Sequence, residues 1–286
     1  MTPGHGPGPY RGQMIAFGTR HGKHHQVRDT FAQVLGAEVV VPTDIDTDQF
    51  GTFTGDVPRT LDPVAAARAK AHLGMAATTA RFGLASEATY GPLPGVGVSG
   101  HEEVLLFLDP GRGIEIIEGE RCLLTPPAQL RVAAGDDLDH YLHRAGFPEQ
   151  ALVVRYTRGG TLSTVAKGVT GRDDLVAATA AARDRSDDGH ALLEPDLRAH
   201  HNPTRRVVLT RLGQRLAQRL ATPCPACACP GYGRTDTERG LPCTACAAPT
   251  DLITADVHTC GQCAHQHRVR RAAITADPRW CPLCNP

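Results

Sequence analysis

The apolar positions switch several times between the period of a strand and the period of a helix. Met14-Ile15-Ala16-Phe17 is an unbroken apolar run that reads as a short buried strand. Val27, Phe31, Val34 and Leu35 follow at helical spacing. Residues 37–42 read as a second strand, 63–75 as an alanine-rich helix, and 82–87 as a short strand ending in a carboxylate. Residues 103–109 and 113–119 read as a hairpin turning through Pro110-Gly111-Arg112-Gly113. Helices are predicted over 136–145, 172–185 and 207–220, the last with an apolar face of Val208, Leu212, Leu216 and Leu220. Strands at 151–156 and 162–165 flank Arg158-Gly159-Gly160. This alternation through residues 13–220 predicts an α/β domain, and the hairpin makes its sheet mixed.

Composition narrows the class. The 286 residues suffice for one large domain and one small one, with formal net charge zero. Neither a globally basic nucleic-acid binder nor an acidic disordered chain fits that balance. No apolar run reaches 18 residues, so no membrane span is expected. Residues 1–12 are Gly/Pro-rich, lack the apolar core of a signal peptide and read as a flexible tail. Only Lys23, Lys70 and Lys167 are lysine among 30 basic residues, which reads as the bias of a GC-rich genome. Nine of ten cysteines follow residue 220, mostly as Cys-x-x-Cys pairs, a pattern expected of metal binding in a reducing cytoplasm. Cys122 reads as an ordinary small apolar residue.

Several stretches carry candidate chemistry. Residues 44–59 hold four carboxylates, and Asp44, Asp46 and Asp48 alternate, so extended chain would project them to one side. Such a loop is either a solvated acidic turn or a site for Mg²⁺. Gly18-Thr19-Arg20-His21-Gly22-Lys23, between strand and helix, is a turn or a phosphate cradle with Lys23 supplying charge. Glu87 ends its predicted strand, where α/β sheets usually bind ligands. Residues 194–206 gather acid, imidazole, amide and guanidinium groups ahead of the last helix. Arg211, Arg215 and Arg219 then form a stripe, open to reading as a solvated face or as an anion or partner surface.

Three segments resemble an uncharacterised bacterial domain family with DTDxFGTFTGExPR-, LASEGxFGP- and RAHxNPTR-like motifs. Here they run over residues 46–59, 84–92 and 198–205. The order of parts also resembles, more distantly, the house-cleaning nucleoside triphosphate pyrophosphatases of the inosine/xanthosine triphosphatase and Maf type. Arg20 stands where their loop has asparagine, Glu87 stands alone where they have paired carboxylates, and Asp62 or Asp56 stands for their metal-binding glutamate. The resemblance implies a metal-dependent nucleotide phosphohydrolase. Asp46, Asp48 and Glu87 would hold Mg²⁺ or Mn²⁺ and activate water. Lys23 and Arg59 would bind phosphate, with Gly22, Ser86, His200, Asn202 and Arg205 completing the substrate site. Phe50, Phe53 or Tyr90 would stack on a base. The competing expectation is a non-catalytic nucleotide sensor, or a module whose C-terminal segment binds nucleic acid or protein.

That segment, 222–286, has four knuckles: Cys224/Cys227, Cys243/Cys246, Cys260/Cys263 and Cys281/Cys284. Two knuckles complete one tetrahedral thiolate site, so two structural Zn²⁺ ions are expected in a double zinc ribbon. The gaps of 15 and 17 residues suit a zinc ribbon and favour sequential pairing, first knuckle with second and third with fourth, over the interleaved pairing of alternate knuckles. Cys229, His258, His265 and His267 read as spare. The segment holds six arginines against five acids, and the basic run 265–271 is the local exception. A structural or protein-contact role is expected over nucleic-acid binding.

Overall fold

The computed structural model describes residues 8–53, 55, 57–93, 98–123 and 127–286. Asp56 and the first seven residues of the expected tail lie outside them. The chain runs β1 (Met14–Phe17), α1 (Arg28–Leu35), β2 (Glu38–Val40), α2 (Pro63–Ala76), β3 (Phe82–Pro92), β4 (Ser99–Asp109), β5 (Ile114–Cys122), β6 (Leu130–Val132) and α3 (Asp139–Ala145). It continues through β7 (Leu152–Arg158), β8 (Thr161–Val169), α4 (Arg172–Arg185), β9 (Ala191–Pro195) and α5 (Pro203–Ala221), then β10 (Gly233–Arg239), β11 (Ile253–Thr259) and β12 (Gln266–Arg270). No helix among the described residues is long and apolar enough to cross a membrane.

The α/β part has two sheets. The first has order β2-β1-β3-β4-β5, with β1 parallel to β2 and β3 and the rest antiparallel. Helices α1 and α5 cover one face, burying Phe31, Leu35, Val208, Leu212 and Leu216 against Ile15, Phe17, Leu84, Leu105 and Phe107. The alanine-rich α2 covers the other, laying Ala67 and Ala71 on Ala85 and Leu106. Its small residues let it approach closely: a Cβ on Gly18 would lie 1.9 Å from the Lys70 carbonyl oxygen. The second sheet, β6-β9-β7-β8, is antiparallel and packs on α3 and α4.

The expected tail ends earlier than residue 12. Tyr10 is buried, edge-on to Phe82 and Phe107 at 5.2 Å, and its hydroxyl donates to Asp109 (3.3 Å). An aromatic ring with a buried acceptor supplies the anchor that the surrounding Gly/Pro composition conceals. β3 also runs on to Pro92, so Glu87 sits mid-strand instead of at its end. It still lies just past the end of β1, whose last residue, Phe17, is opposite Leu84. The arginine stripe of α5 is ion-paired along β5, with Arg211 still exposed to solvent. Arg211 and Arg215 bind Glu120 on β5, at 3.0 and 2.7 Å, and Arg219 binds Glu118 at 3.0 Å.

The C-terminal β10-β11-β12 is an antiparallel meander. Knuckles one and three lie at one end of it and two and four at the other, because Gly233, at the start of β10, faces Thr259, at the end of β11. The sulfur sets are therefore Cys224, Cys227, Cys260, Cys263 and Cys243, Cys246, Cys281, Cys284. This interleaved pairing corrects the sequential one. Gap lengths describe single loops, whereas an up-down-up meander returns every second loop to the same end.

Candidate functional site

β1 has β2 on one side and β3 on the other, reached through helices on opposite faces of the sheet. A crevice therefore opens at the carboxyl end of β1, as at any such switch point. A cavity of about 120 Å³ lies in this region. Its walls include His21, Lys23, Asp48, Phe53, Arg59, Lys70, Glu87, Lys167, Arg198 and Arg205.

Glu87 is a buried carboxylate of its lining. Though buried, it is contacted by Lys70, lies 3.5 Å from Arg59, and has Lys23 nearby. Burial opposes its ionisation, yet the charges of Lys23, Lys70 and Arg59 hold its carboxyl below the usual range. Lys23 donates to the Ser86 carbonyl (2.9 Å), leaving two ammonium protons. Burial pulls its pKa down to about 8, against the attraction of Glu87. Arg59 donates to the Ala88 carbonyl (2.6 Å). Gly51, at φ 111°, admits the Arg59 side chain; a Cβ there would lie 2.5 Å from Arg59 Cγ.

Behind this layer Arg205 and Glu103 form a bidentate pair (2.7 and 2.8 Å) with both side chains buried. Asn202 caps α5, accepting from the Arg205 N–H (3.0 Å) and donating to the Tyr90 hydroxyl (3.0 Å). Burial pushes the Tyr90 phenol up to about 12. The Phe53 ring meets two guanidinium groups, with Arg59 at 4.4 Å and Arg205 at 5.0 Å from its centroid. At the lip, His21 Nε2 meets Asp48 Oδ1 at 3.1 Å, and the His21 ring stacks on His200 at 4.9 Å. Burial lowers the pKa of His21, against its bond to Asp48, and that of His200 to about 4.

The structure thus brings Lys23, Asp48, Arg59, Glu87 and Arg205 to one cavity. Asn202 and Ser86 stand behind it, the first as a cap and the second through its carbonyl. Gly22, at φ 65°, caps a single 3-10 turn over Lys23–Gln26, and α1 begins only at Arg28, so no α-helix N-terminus adjoins Lys23. The expected Mg²⁺ or Mn²⁺ ligands do not converge. Asp46 is exposed, 3.7 Å from Arg20; Asp48 bonds His21 and Arg20; Glu87 is held by cations. Asp62 caps α2 by accepting from Val64 and Ala65. Among the described residues only the two cysteine sets gather metal ligands.

His21 and Arg198 lie in stretches that the sequence marks as candidates but gives no individual role, and Lys70, Glu103 and Lys167 carry no local signal of one. One signal was there to find: the chain's only three lysines, Lys23, Lys70 and Lys167, all line this cavity.

The cysteine sets suit zinc. A tetrahedral Zn–S bond of about 2.3 Å separates sulfurs by about 3.8 Å. Cys224–Cys263 and Cys227–Cys260 lie at 3.7 Å, Cys243–Cys284 at 3.9 Å and Cys246–Cys281 at 3.6 Å. Within each of the first three knuckles a backbone N–H faces the leading sulfur at 3.4 Å. Ala228, Ala247 and Ala264 each follow a ligand in the left-handed conformation, at φ 59°, 61° and 56°.

No curated protein and no solved structure matches the chain. A family model does match, over residues 70–286, from Lys70 through all eight ligand cysteines. The chain therefore belongs to the family described as Domain of unknown function (DUF6671).

Proposed function

We propose that the cleft beyond β1 binds the phosphate groups of a nucleotide. One observation carries this reading: all three lysines of a chain that otherwise uses arginine line one cavity, together with Arg59, Arg198 and Arg205. Lysine differs from arginine in being a compact point charge whose pKa shifts on burial. Six cations stand against Asp48 and Glu87 in the lining, and against Glu103 and Asp196, which pair with Arg205 and Arg198; the excess of two positive charges suits an anion. Phe53 and Tyr90, 5.8 Å apart, supply aromatic surface next to it for a base.

A hydrolytic role, akin to the pyrophosphatases that the order of parts resembles, is favoured by the His21–Asp48 pair. Asp48 orients a neutral imidazole, which can accept a proton from water. Among the described residues the carboxylates provide no gathered site for Mg²⁺ or Mn²⁺, so that ion would enter with the phosphates. If the cleft binds without turning over, the protein acts as a nucleotide-responsive module. Calorimetric titration with nucleoside mono-, di- and triphosphates, beside a phosphate and pyrophosphate release assay with and without Mg²⁺ or Mn²⁺, tests both parts. Binding lost in Lys23→Met supports the site, and release lost in His21→Ala supports hydrolysis. Absence of nucleotide binding overturns the reading.

A further inference from the structure

The zinc-bearing meander has a surface that the cleft does not use. β12 is its last strand, no strand pairs with its outer edge among the described residues, and all five of its residues are exposed. The Arg271 N–H donates to the Thr254 carbonyl (2.9 Å), one step beyond the pairing of Arg270 with Ala255. Antiparallel bonding alternates, so Val269 and His267 also turn their backbone groups towards β11. The N–H and C=O groups of Arg268 and Arg270 then point outward.

The same two arginines flank a groove of about 430 Å³. Arg239 and Arg271 also line it, against the single carboxylate Glu238. Arg268 is paired with Glu238 and Arg271 with Asp256 (2.9 Å), but the surface stays positive. Ile274, 81% exposed, supplies an apolar wall.

We propose that β12 binds an extended acidic peptide by strand addition. The free backbone groups of Arg268 and Arg270 would pair with the incoming strand, and the arginines would meet its acidic side chains. Charges on an edge strand ordinarily repel other strands. Here they repel a second copy of β12, which would set arginine against arginine, and select a strand of opposite charge. A nucleic acid fits less well: it offers no amide ladder, and none of the groove's lining residues is aromatic for base stacking.

The test is fluorescence anisotropy at low ionic strength, with zinc-loaded full-length protein and a labelled peptide alternating glutamate and valine. Saturable binding is expected, weakened by salt. R270A should weaken it about threefold by removing one guanidinium. R270P also removes an outward N–H while sparing the β11 ladder, and should weaken it at least about tenfold. R270E should reject this peptide and accept its lysine-valine counterpart, which decides the matter should R270P lose zinc. The proposal is overturned if the glutamate peptide does not saturate, if R270P and R270A bind alike, or if only a single-stranded oligonucleotide binds and loses affinity in R270E.

Discussion

The Glu103–Arg205 pair supports the cleft from behind, and Glu103→Gln tests how much. Glutamine keeps the shape of glutamate but sets an amide N–H₂ or a neutral oxygen against a guanidinium that keeps its charge. Arg205 retains the Leu197 carbonyl (2.7 Å) and at most one neutral oxygen of the glutamine, where there had been two charged carboxylate oxygens. Glu103 and Arg205 are 0% and 1% exposed, so water cannot take the lost partner's place. Removing one member of such a pair costs about 3–5 kcal/mol. A domain of this size loses about 2–4 °C of Tm per kcal/mol, so Tm should fall by roughly 6–20 °C.

Far-UV circular dichroism with zinc present is the assay. The single tryptophan, Trp280, belongs to the zinc-bearing segment and serves as an internal control whose transition should stay in place. Replacing both partners, as Glu103→Met with Arg205→Met, removes the buried charge together with its counter-charge and should cost well under the sum of the singles. A fall in Tm below about 2 °C for Glu103→Gln, or strict additivity in the double mutant, would refute the reasoning.

Three further outcomes follow from the geometry. Lys23 titrates near 8 when folded, against an ordinary value of 10.5. The unfolded chain therefore binds more protons between those values, and this group's contribution to stability rises as pH climbs from about 8 to 10.5. A bound anion favours the ammonium form, so nucleotide affinity should fall above pH 8, and binding there should take up a proton, seen as calorimetric heats that vary with buffer ionisation enthalpy. Gly18→Ala drives a methyl into the Lys70 carbonyl; at least about 1–3 kcal/mol of stability should go, and anion binding with it, measured by urea unfolding and titration. Interleaved zinc pairing is checked by metal content: Cys227→Ser with Cys263→Ser disables one site and leaves one zinc, whereas Cys227→Ser with Cys246→Ser disables both; sequential pairing assigns Cys227 and Cys246 to one site and reverses these counts.

Elements with a strong period were legible in the sequence. The helix predicted over 172–185 coincides with α4, and the apolar stripe from Val208 to Leu220 is the buried face of α5. Much of what was missed depends on partners distant in the chain. β9, Ala191–Pro195, is too short for a period to stand out and is defined by pairing with β6 and β7. The α5 arginines looked like an open cationic stripe because their acids lie about 95 residues earlier on β5. The acidic loop looked like a metal site because alternation aligns carboxylates only in extended chain. Here Asp48 begins a 3-10 turn, its N–H bonds Asp46 Oδ1 (3.0 Å), and basic side chains from the glycine loop take its carboxylate.

Helix α5 joins the two parts whose roles are proposed separately. Asn202 and Arg205, at its start, stand in the wall behind the cleft. Nineteen residues later it ends beside the first cysteine knuckle, where Arg219 donates to the Gly231 carbonyl (3.1 Å) and Cys229 packs against the main core. A straight helix of that length spans about 28 Å. Its middle is fixed along β5 by Arg211, Arg215 and Arg219, so its two ends hold a set separation. The first zinc site is therefore built onto the α/β core, whereas the second, at the far end of the meander, lies away from that attachment. Metal loss from the first should loosen the packing of Cys229 and Gly231 against the core, and loss from the second should be felt mainly within the meander. Hydrogen exchange on Cys224→Ser and Cys243→Ser, compared at α5 and β5, would separate the two; equal protection loss at those elements in both variants would show that the meander transmits disorder end to end.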